Sequence, residues 1–399
     1  MRSYYIFQNG RLRRKGNTLY LESESASSAP EVDEIDRPIG LSDNAERLEL
    51  DEPDQQMMTP PVTEGQDEEN ETELSPSQAG VHTQDGAPVP RSSTPPRRRA
   101  IPIEDVEEIL LFGEITMNTK LLNFLAQKSV PVHVFNYFGF YSGTYYPRET
   151  NVSGHLLLKQ VEHYTDTAKR LILAKEIVRG AYHNLHRNLL YYRNRGKAVQ
   201  AAVDALERES VQIERADSIS ALMGTEGRMR ETYYRAFNDI LNLESPFLKR
   251  VKRPPDNLIN TLISFGNSLL YTAVLSQIYR TPLNPTISFL HEPGTRRFSL
   301  SLDLAEIFKP IIVDKMIFKL INKQIVTERD LLKEPGVAYL KKAARKVIVQ
   351  EFDGRLRATI KHRRMRRNVS YRGFIRLECY KLVRHLLGDE PYRALRAWW

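Results

Sequence analysis

A chain of 399 residues has length for two domains, and its single cysteine, Cys379, excludes an intramolecular disulfide and points to a reducing compartment and a small buried thiol. The start, Met1-Arg2-Ser3-Tyr4-Tyr5-Ile6, lacks the apolar core of a signal peptide, and no run approaches the roughly 20 apolar residues that span a bilayer, so a soluble cytoplasmic protein is expected. The formal charge of +8 hides an asymmetry: residues 22–90 hold 19 Asp and Glu against two basic residues, Arg37 and Arg47, leaving −17 there and +25 on the rest, which suits a polyanion such as nucleic acid.

In chain order, Tyr4-Tyr5-Ile6-Phe7 and Leu19-Tyr20-Leu21 flank Asn9-Gly10 and Lys15-Gly16-Asn17, a pattern that predicts short strands joined by tight turns. No aromatic residue occurs between Tyr20 and Phe112, and Ser, Pro, Gln, Asp and Glu crowd the interval. Such a stretch buries too little apolar surface to offset its ordering entropy, so 22–99 is expected to be a disordered acidic insertion at a surface turn, with strand pairing resuming beyond it. That insertion either folds back over the basic body as an electrostatic competitor or is a tolerated insertion at a surface turn. Val106, Ile109, Leu110, Leu111 and Phe112 predict a strand, Thr119 to Lys128 a short helix with Leu121, Leu122 and Leu125 inward, and Val132-His133-Val134-Phe135 and Phe140 to Tyr146 further strands. His133 reads as a satisfied strand histidine. Residues 1–21 and 100–147 thus form a small β-rich domain near the lower size limit for an independent core, which dimerisation would help.

After Pro147, Leu156, Leu157, Val161, Tyr164, Ala168, Leu171 and Ile172 recur at helical spacing, and no proline occurs from Arg148 to Glu244. Residues 151–399 are expected to be one mainly helical domain, making the fold class α+β. Basic residues concentrate at Arg355, Arg357, Lys361, Arg363, Arg364, Arg366, Arg367, Arg372 and Arg376. Tyr233 and Tyr234 lie at core spacing.

No P-loop, dinucleotide fingerprint or cysteine-rich zinc pattern is present, so kinase and dehydrogenase readings fall away. Three places could carry chemistry. Glu226 lies between Gly224 and Gly227 at a predicted helix start, where glycines would admit a phosphate, although an ordinary first-turn glutamate fits as well. His291 ends the apolar stretch Phe289-Leu290 and precedes Pro293-Gly294. Asp303 and Glu306, at i and i+3, share one helix face among apolar neighbours, where their repulsion and desolvation favour a cation. Oxygen ligands with one imidazole suit Mg2+ or Mn2+ better than zinc, and such an ion serves phosphodiester chemistry.

The stretches Arg253-Pro254-Pro255-Asp256-Asn257-Leu258-Ile259-Asn260, Ser264-Phe265-Gly266-Asn267-Ser268, Leu283-Asn284-Pro285-Thr286-Ile287-Ser288-Phe289-Leu290-His291 and Arg297-Phe298-Ser299-Leu300-Ser301-Leu302-Asp303-Leu304-Ala305-Glu306 resemble, in order and spacing, the CRISPR-associated integrase family Cas1, with wording nearest its subtype I-B branch. The resemblance covers most of 1–21 and 100–399. It implies that Glu226, His291 and Glu306 bind one divalent metal, Mg2+ or Mn2+, with Asp303 as an additional acidic position beside it. It further implies a homodimer through the β-rich domain, two dimers bridged by a dimer of the small Cas2 protein in a heterohexamer, and binding of double-stranded and branched DNA. The implied reaction joins the 3′-hydroxyl ends of spacer DNA to the repeat boundary of a CRISPR array, and the same site cleaves DNA with water. A catalytically inactive DNA-binding subunit of the same assembly is the alternative. For the DNA surface, the Arg355 to Arg376 cluster, including Arg363, Arg364, Arg366 and Arg367, is expected to act with Arg250, Lys252 and Arg253. Arg297 either meets phosphate near the metal or pairs with a carboxylate.

Overall fold

In the computed structural model, which describes residues 2–23, 98–243, 245–251, 254–294, 298–334 and 337–399, the N-terminal strands pair into two sheets. Strands β1 (Arg2–Ile6), β2 (Gly10–Lys15), β3 (Thr18–Ser23), β4 (Arg98–Pro102), β5 (Val106–Leu111), β6 (Ile115–Thr116), β7 (Val132–Phe135) and β8 (Tyr141–Tyr145) are ordered β1-β5-β7-β8 and β4-β3-β2-β6. β1, β5 and β7 run parallel and β8 turns back antiparallel, while β2, β3 and β4 form an antiparallel meander. Pairing does resume beyond the acidic stretch: β3 and β4 run in register from Thr18 with Pro102 to Glu22 with Arg98. Strand structure therefore reaches Ser23 and restarts at Arg98, and the remainder of the expected insertion, 24–97, lies outside the described residues. Helix α1 (Thr119–Gln127), capped by the Asn118 side chain, turns Leu121, Phe124 and Leu125 into a core shared with Leu12, Leu19, Ile109 and Val132. Phe124 takes the inward place expected for Leu122, which is half-buried.

Beyond residue 150 helices dominate: α2 (Gly154–Thr165), α3 (Thr167–Arg193), α4 (Gln200–Arg215), α5 (Ile219–Arg235), α6 (Phe237–Ile240), α7 (Leu258–Ile278), α8 (Ser299–Lys309), α9 (Lys315–Asn322), α10 (Lys342–Arg357) and α11 (Tyr371–Leu386). The fold is α+β. Ser153, Asp166, Ser218, Asn257 and Ser370 cap α2, α3, α5, α7 and α11 through their side chains. Two short antiparallel hairpins, β9 (Leu331–Glu334) with β10 (Val337–Leu340) and β11 (Thr359–Lys361) with β12 (Asn368–Ser370), interrupt the helices, and periodicity over such short stretches does not announce them. Helix α7 is apolar and long enough to cross a membrane, at mean hydropathy 1.4, but 78% of that stretch is buried inside the protein, so it serves as the central core helix. Its Gly266 allows close packing, because a Cβ there would lie 2.7 Å from Val313 Cγ1.

The strand layer is joined to the helices by a buried charge cluster. β5 is buried along its whole length, and it carries Glu107 and Glu108 in the middle of an apolar strand. Glu107 accepts from Arg372 Nη1 and Arg376 Nη2 on α11, each at 2.8 Å, and Arg280 stands 3.4 Å away. Glu108 accepts from Ser3 of β1 and Ser276 of α7 and lies 3.4 Å from His133 Nε2. His133 is thereby satisfied, with Thr144 at 2.8 Å and Ser276 at 2.9 Å. Burial alone would raise the Glu108 carboxyl, but the hydrogen bond from His133, the Arg372 charge and Ser276 outweigh it and hold its pKa at about 2. A depressed carboxylate contributes stability that is complete above its unfolded pKa of 4.5 and is lost as pH falls towards 2. Removing one partner of such a buried cluster leaves the other charge uncompensated, so Arg372→Met should lower the unfolding free energy by about 3–5 kcal/mol in urea denaturation at pH 7. A loss below about 1 kcal/mol would show that the cluster does not hold the two parts together.

Candidate active site

Helix α8 runs through the interior with every residue from Ser299 to Lys309 buried, so each polar side chain on it must find a partner. It does not end at Lys309 but passes through one π-helical turn, Pro310–Asp314, into α9. Pro310 has no N–H to give to the preceding turn, and a widened turn there redirects backbone carbonyls. Two asparagines one turn apart on α3 take them up: Asn184 Nδ2 donates to Ile307 O at 2.8 Å and Asn188 Nδ2 to Pro310 O at 2.8 Å. Neither stands out in the sequence, where an asparagine inside a helical run gives no signal.

Asp303 faces the loop ahead of α8. Its carboxylate accepts from the backbone N–H groups of Phe289 (2.6 Å), Leu290 (2.9 Å) and His291 (2.9 Å), and from His291 Nδ1 at 2.8 Å. Fully buried and holding four donors, Asp303 has its oxygens committed to shaping this loop and orienting the imidazole. Asp303, expected beside a metal, thus stands directly behind His291, which is itself 7% exposed. From the other side Arg170 donates to Phe289 O at 2.9 Å and to Glu292 at 2.6 Å, and the Tyr164 hydroxyl donates to Glu292 at 2.9 Å. Arg170 and Tyr164 lie so far from His291 in sequence that only folding reveals them.

One turn beyond Asp303, Glu306 meets α5. Arg230 donates through Nη2 to Glu306 and through Nε to Glu226 Oε1 at 3.2 Å, while Lys309 Nζ donates to the other oxygen of Glu306. Two carboxylates from distant parts of the chain thus share one buried guanidinium. Glu226 is not at a helix start, as expected, but in the middle of α5, whose cap is Ser218. The glycines are misleading because Leu222, Met229 and Tyr233 bury on this helix and offset the roughly 1 kcal/mol that each interior glycine costs. Gly224 and Gly227 are exposed, and a Cβ on Gly227 would meet nothing within 4 Å. Among the described residues no three carboxylate or imidazole groups already stand together as a ligand set, because Arg230 and Lys309 occupy the space between the acids.

Below this pair sits an acid absent from the expected site. Asp314, in the π turn, is 1% exposed, and burial pushes its pKa up to about 7 against the lowering effects of Arg230, Tyr233 and Lys309. Tyr233 and Tyr234 are core residues, with Asn188 Nδ2 donating to the Tyr233 hydroxyl at 2.9 Å. The sequence does hold a signal for Asp314, a lone acid closing the apolar run Pro310-Ile311-Ile312-Val313.

The basic residues divide sharply. Arg372 and Arg376 belong to the Glu107 cluster, Arg355 donates to Ile311 O at 2.9 Å, and Arg250 donates to Val251 O, Asn260 and Ser264, so all four have partners within the protein. Lys252, Arg253 and Arg297 lie outside the described residues. Lys361, Arg363, Arg364, Arg366 and Arg367 are exposed on the β11–β12 hairpin, where Arg366 takes a left-handed φ of 53° and Arg363 stands 5.2 Å over the Trp398 ring.

Comparison with known proteins gives this arrangement a family. The sequence profile of CRISPR associated protein Cas1 matches residues 81–354. The CRISPR-associated endonuclease Cas1 of Fusobacterium nucleatum is 50% identical over 302 residues, 76% of this chain and 89% of that protein. The chain belongs to the Cas1 family. A solved Cas1 protein from Thermotoga maritima, 35% identical, superposes with a TM-score of 0.74 over 99% of this chain and 100% of that one. At the level of fold alone, a casposase bound to integration product (17% identity, TM-score 0.74, 99% of this chain and 93% of that one) and a Cas6-RT-Cas1–Cas2 complex (20% identity, TM-score 0.66, 75% and 33%) are also similar. In this Cas1, Asp303→Asn would set an amide against N–H donors that need an acceptor. Hydrogen bonds to a buried charge contribute about 1.5–3 kcal/mol each, so a loss of at least about 3 kcal/mol is expected in chemical denaturation, and a variant as stable as the parent would contradict the four-donor arrangement.

Proposed function

We propose that this Cas1 protein is a metal-dependent DNA integrase and endonuclease of CRISPR adaptation, which joins the 3′-hydroxyl ends of spacer DNA to the repeat boundary of an array and cleaves DNA when water takes the place of the hydroxyl. The observation that carries this reading is the meeting of Glu226 and Glu306 on one buried guanidinium, with an imidazole oriented by the residue one turn before Glu306. The Fusobacterium relative is named an endonuclease and the casposase is bound to an integration product, which supports the same class of chemistry.

Glu226, Glu306 and His291 would hold Mg2+ or Mn2+, since two carboxylates and one imidazole form a hard donor set. Such an ion, when bound, activates the attacking hydroxyl or water and neutralises charge on the leaving oxygen. The remaining steps belong to the chain. Asp303 accepts the Nδ1 proton of His291 and so fixes the tautomer that presents the Nε2 lone pair. Lys309 and Arg230 set positive charge against both acids, with Glu306 buried and Glu226 half-buried. The open surface at Gly224 and Gly227 leaves room for a DNA backbone beside Glu226.

Duplex and branched DNA would lie along the basic hairpin that carries Arg363, Arg364, Arg366 and Arg367. Contacts of this kind follow phosphate position and duplex shape rather than base identity. The assembly we infer is a homodimer formed through the β-rich region, with two dimers bridged by a Cas2 dimer, a partnership supported by the Cas1–Cas2 complex that shares the fold.

Incubated with Mg2+ or Mn2+, a 3′-hydroxyl oligonucleotide and a repeat target, with and without Cas2, the protein should produce branched joining products. His291→Ala should reduce joining by about 100-fold or more in a protein that still folds, with a lowered melting temperature because Asp303 loses one of its four donors. Full activity in that variant would refute the assignment, and a parent protein that binds DNA without joining it would establish the inactive-subunit alternative. Replacing the four hairpin arginines by alanine should weaken DNA binding and flatten the dependence of log affinity on log salt by about 0.9 for each phosphate that is no longer neutralised. An unchanged salt slope in a fluorescence-anisotropy titration would remove the hairpin from the DNA surface.

A further inference from the structure

Two buried groups of opposite sign face the site, each with an atom left over. Arg230 uses Nε on Glu226 and Nη2 on Glu306, but its Nη1 has no hydrogen-bond partner among the described residues. Asp314 Oδ2 has none either, and the Arg230 and Lys309 charges act on that carboxyl. Tyr233, next to Asp314, is held by Asn188, whose amide also holds Pro310 O, so the π turn and the α5 tyrosine are tied to one α3 side chain. Native proteins rarely leave buried donors and acceptors unmet, and here the unmet donor and the unmet acceptor belong to side chains whose charges act on each other.

We propose that Arg230 is a positioning residue with two sets of acceptors: Glu226 and Glu306 before a divalent cation binds, and Asp314 once the cation has taken those carboxylates. This rests on the reading of Glu226, His291 and Glu306 as the metal site. A divalent ion drawn to the two acids repels the guanidinium that bridges them. A buried guanidinium pushed off its partners would be left unpaired, among the costliest states a protein interior can hold. Asp314 reduces that penalty by offering a carboxyl with an unmet oxygen, carried at the end of the π turn that follows α8. Before the cation arrives, the same guanidinium prevents the two acids from repelling each other, and the site stays formed without metal.

The test is a double-mutant cycle on Mn2+ affinity, with unbound Mn2+ counted by electron paramagnetic resonance on the full chain without DNA. Asp314→Asn, nearly isosteric, deprives the displaced guanidinium of its carboxyl partner and should weaken Mn2+ binding about tenfold or more while the metal-free protein melts as the parent does. Arg230→Met removes the guanidinium that needs a new partner, so in that background Asp314→Asn should change Mn2+ affinity less than twofold. If Arg230→Met does not fold, Arg230→Gln closes the same cycle. Parent-like Mn2+ binding by Asp314→Asn overturns the exchange, and so does a loss of equal size in both backgrounds, because a merely structural Asp314 would act whether or not Arg230 is present. A parent protein that takes up no Mn2+ overturns the reading of the site along with the exchange, whereas Mn2+ uptake without coupling overturns the exchange alone.

Discussion

The placement of one buried guanidinium between a buried carboxylate and a half-buried one is the constraint on which the site depends. Glu226 and Glu306 come from helices remote in sequence, and without Arg230 and Lys309 their mutual repulsion and desolvation would oppose bringing the two acids to one place. Arginine suits this position because its planar fork presents several donors at fixed angles and keeps its charge when buried. The same geometry sets a permanent cation beside both acids, and a carboxylate so paired is the form that a divalent ion would require. Stability and chemistry therefore impose the same demand on these residues.

Around that pair the helices are held by polar side chains as much as by apolar ones. Asn184 and Asn188 take up carbonyls where α8 widens into its π turn, Gly266 lets α7 lie against Val313 of that turn, and Asp303 gathers three successive N–H groups so that His291 has one orientation. At the junction with the strands, Glu107 and Glu108 repeat the device with arginines from α7's end and from α11. In both places acids occur in otherwise buried elements, and cations from distant elements make them tolerable. Each cluster thus specifies which elements may pack together, since any other pairing would strand a charge.

Much of this is readable without coordinates. Alternation and helical spacing locate most strands and the long helices, because those periods reflect which side of an element faces the core. The acid and imidazole residues can be singled out because charge within apolar helical sequence is costly and so demands a reason. The glycines around Glu226 mislead because a helix that buries enough side chains tolerates them. The basic run from Arg355 to Arg376 cannot be divided by composition: Arg372 and Arg376 reach buried Glu107, whereas Arg363 to Arg367 stand on an exposed hairpin too short to show a period.

By itself, then, the sequence determined the α+β class, the family resemblance and the residue types able to hold a hard cation, because local periodicity and the cost of burying charge are properties of the chain. Only the tertiary structure decided which charges meet. That Arg230 bridges Glu226 and Glu306, that Asp303 serves His291, and that Asp314 waits beneath them follow from helices packed across large sequence separations, where electrostatic partners are selected by position in space, and linear spacing carries no record of it.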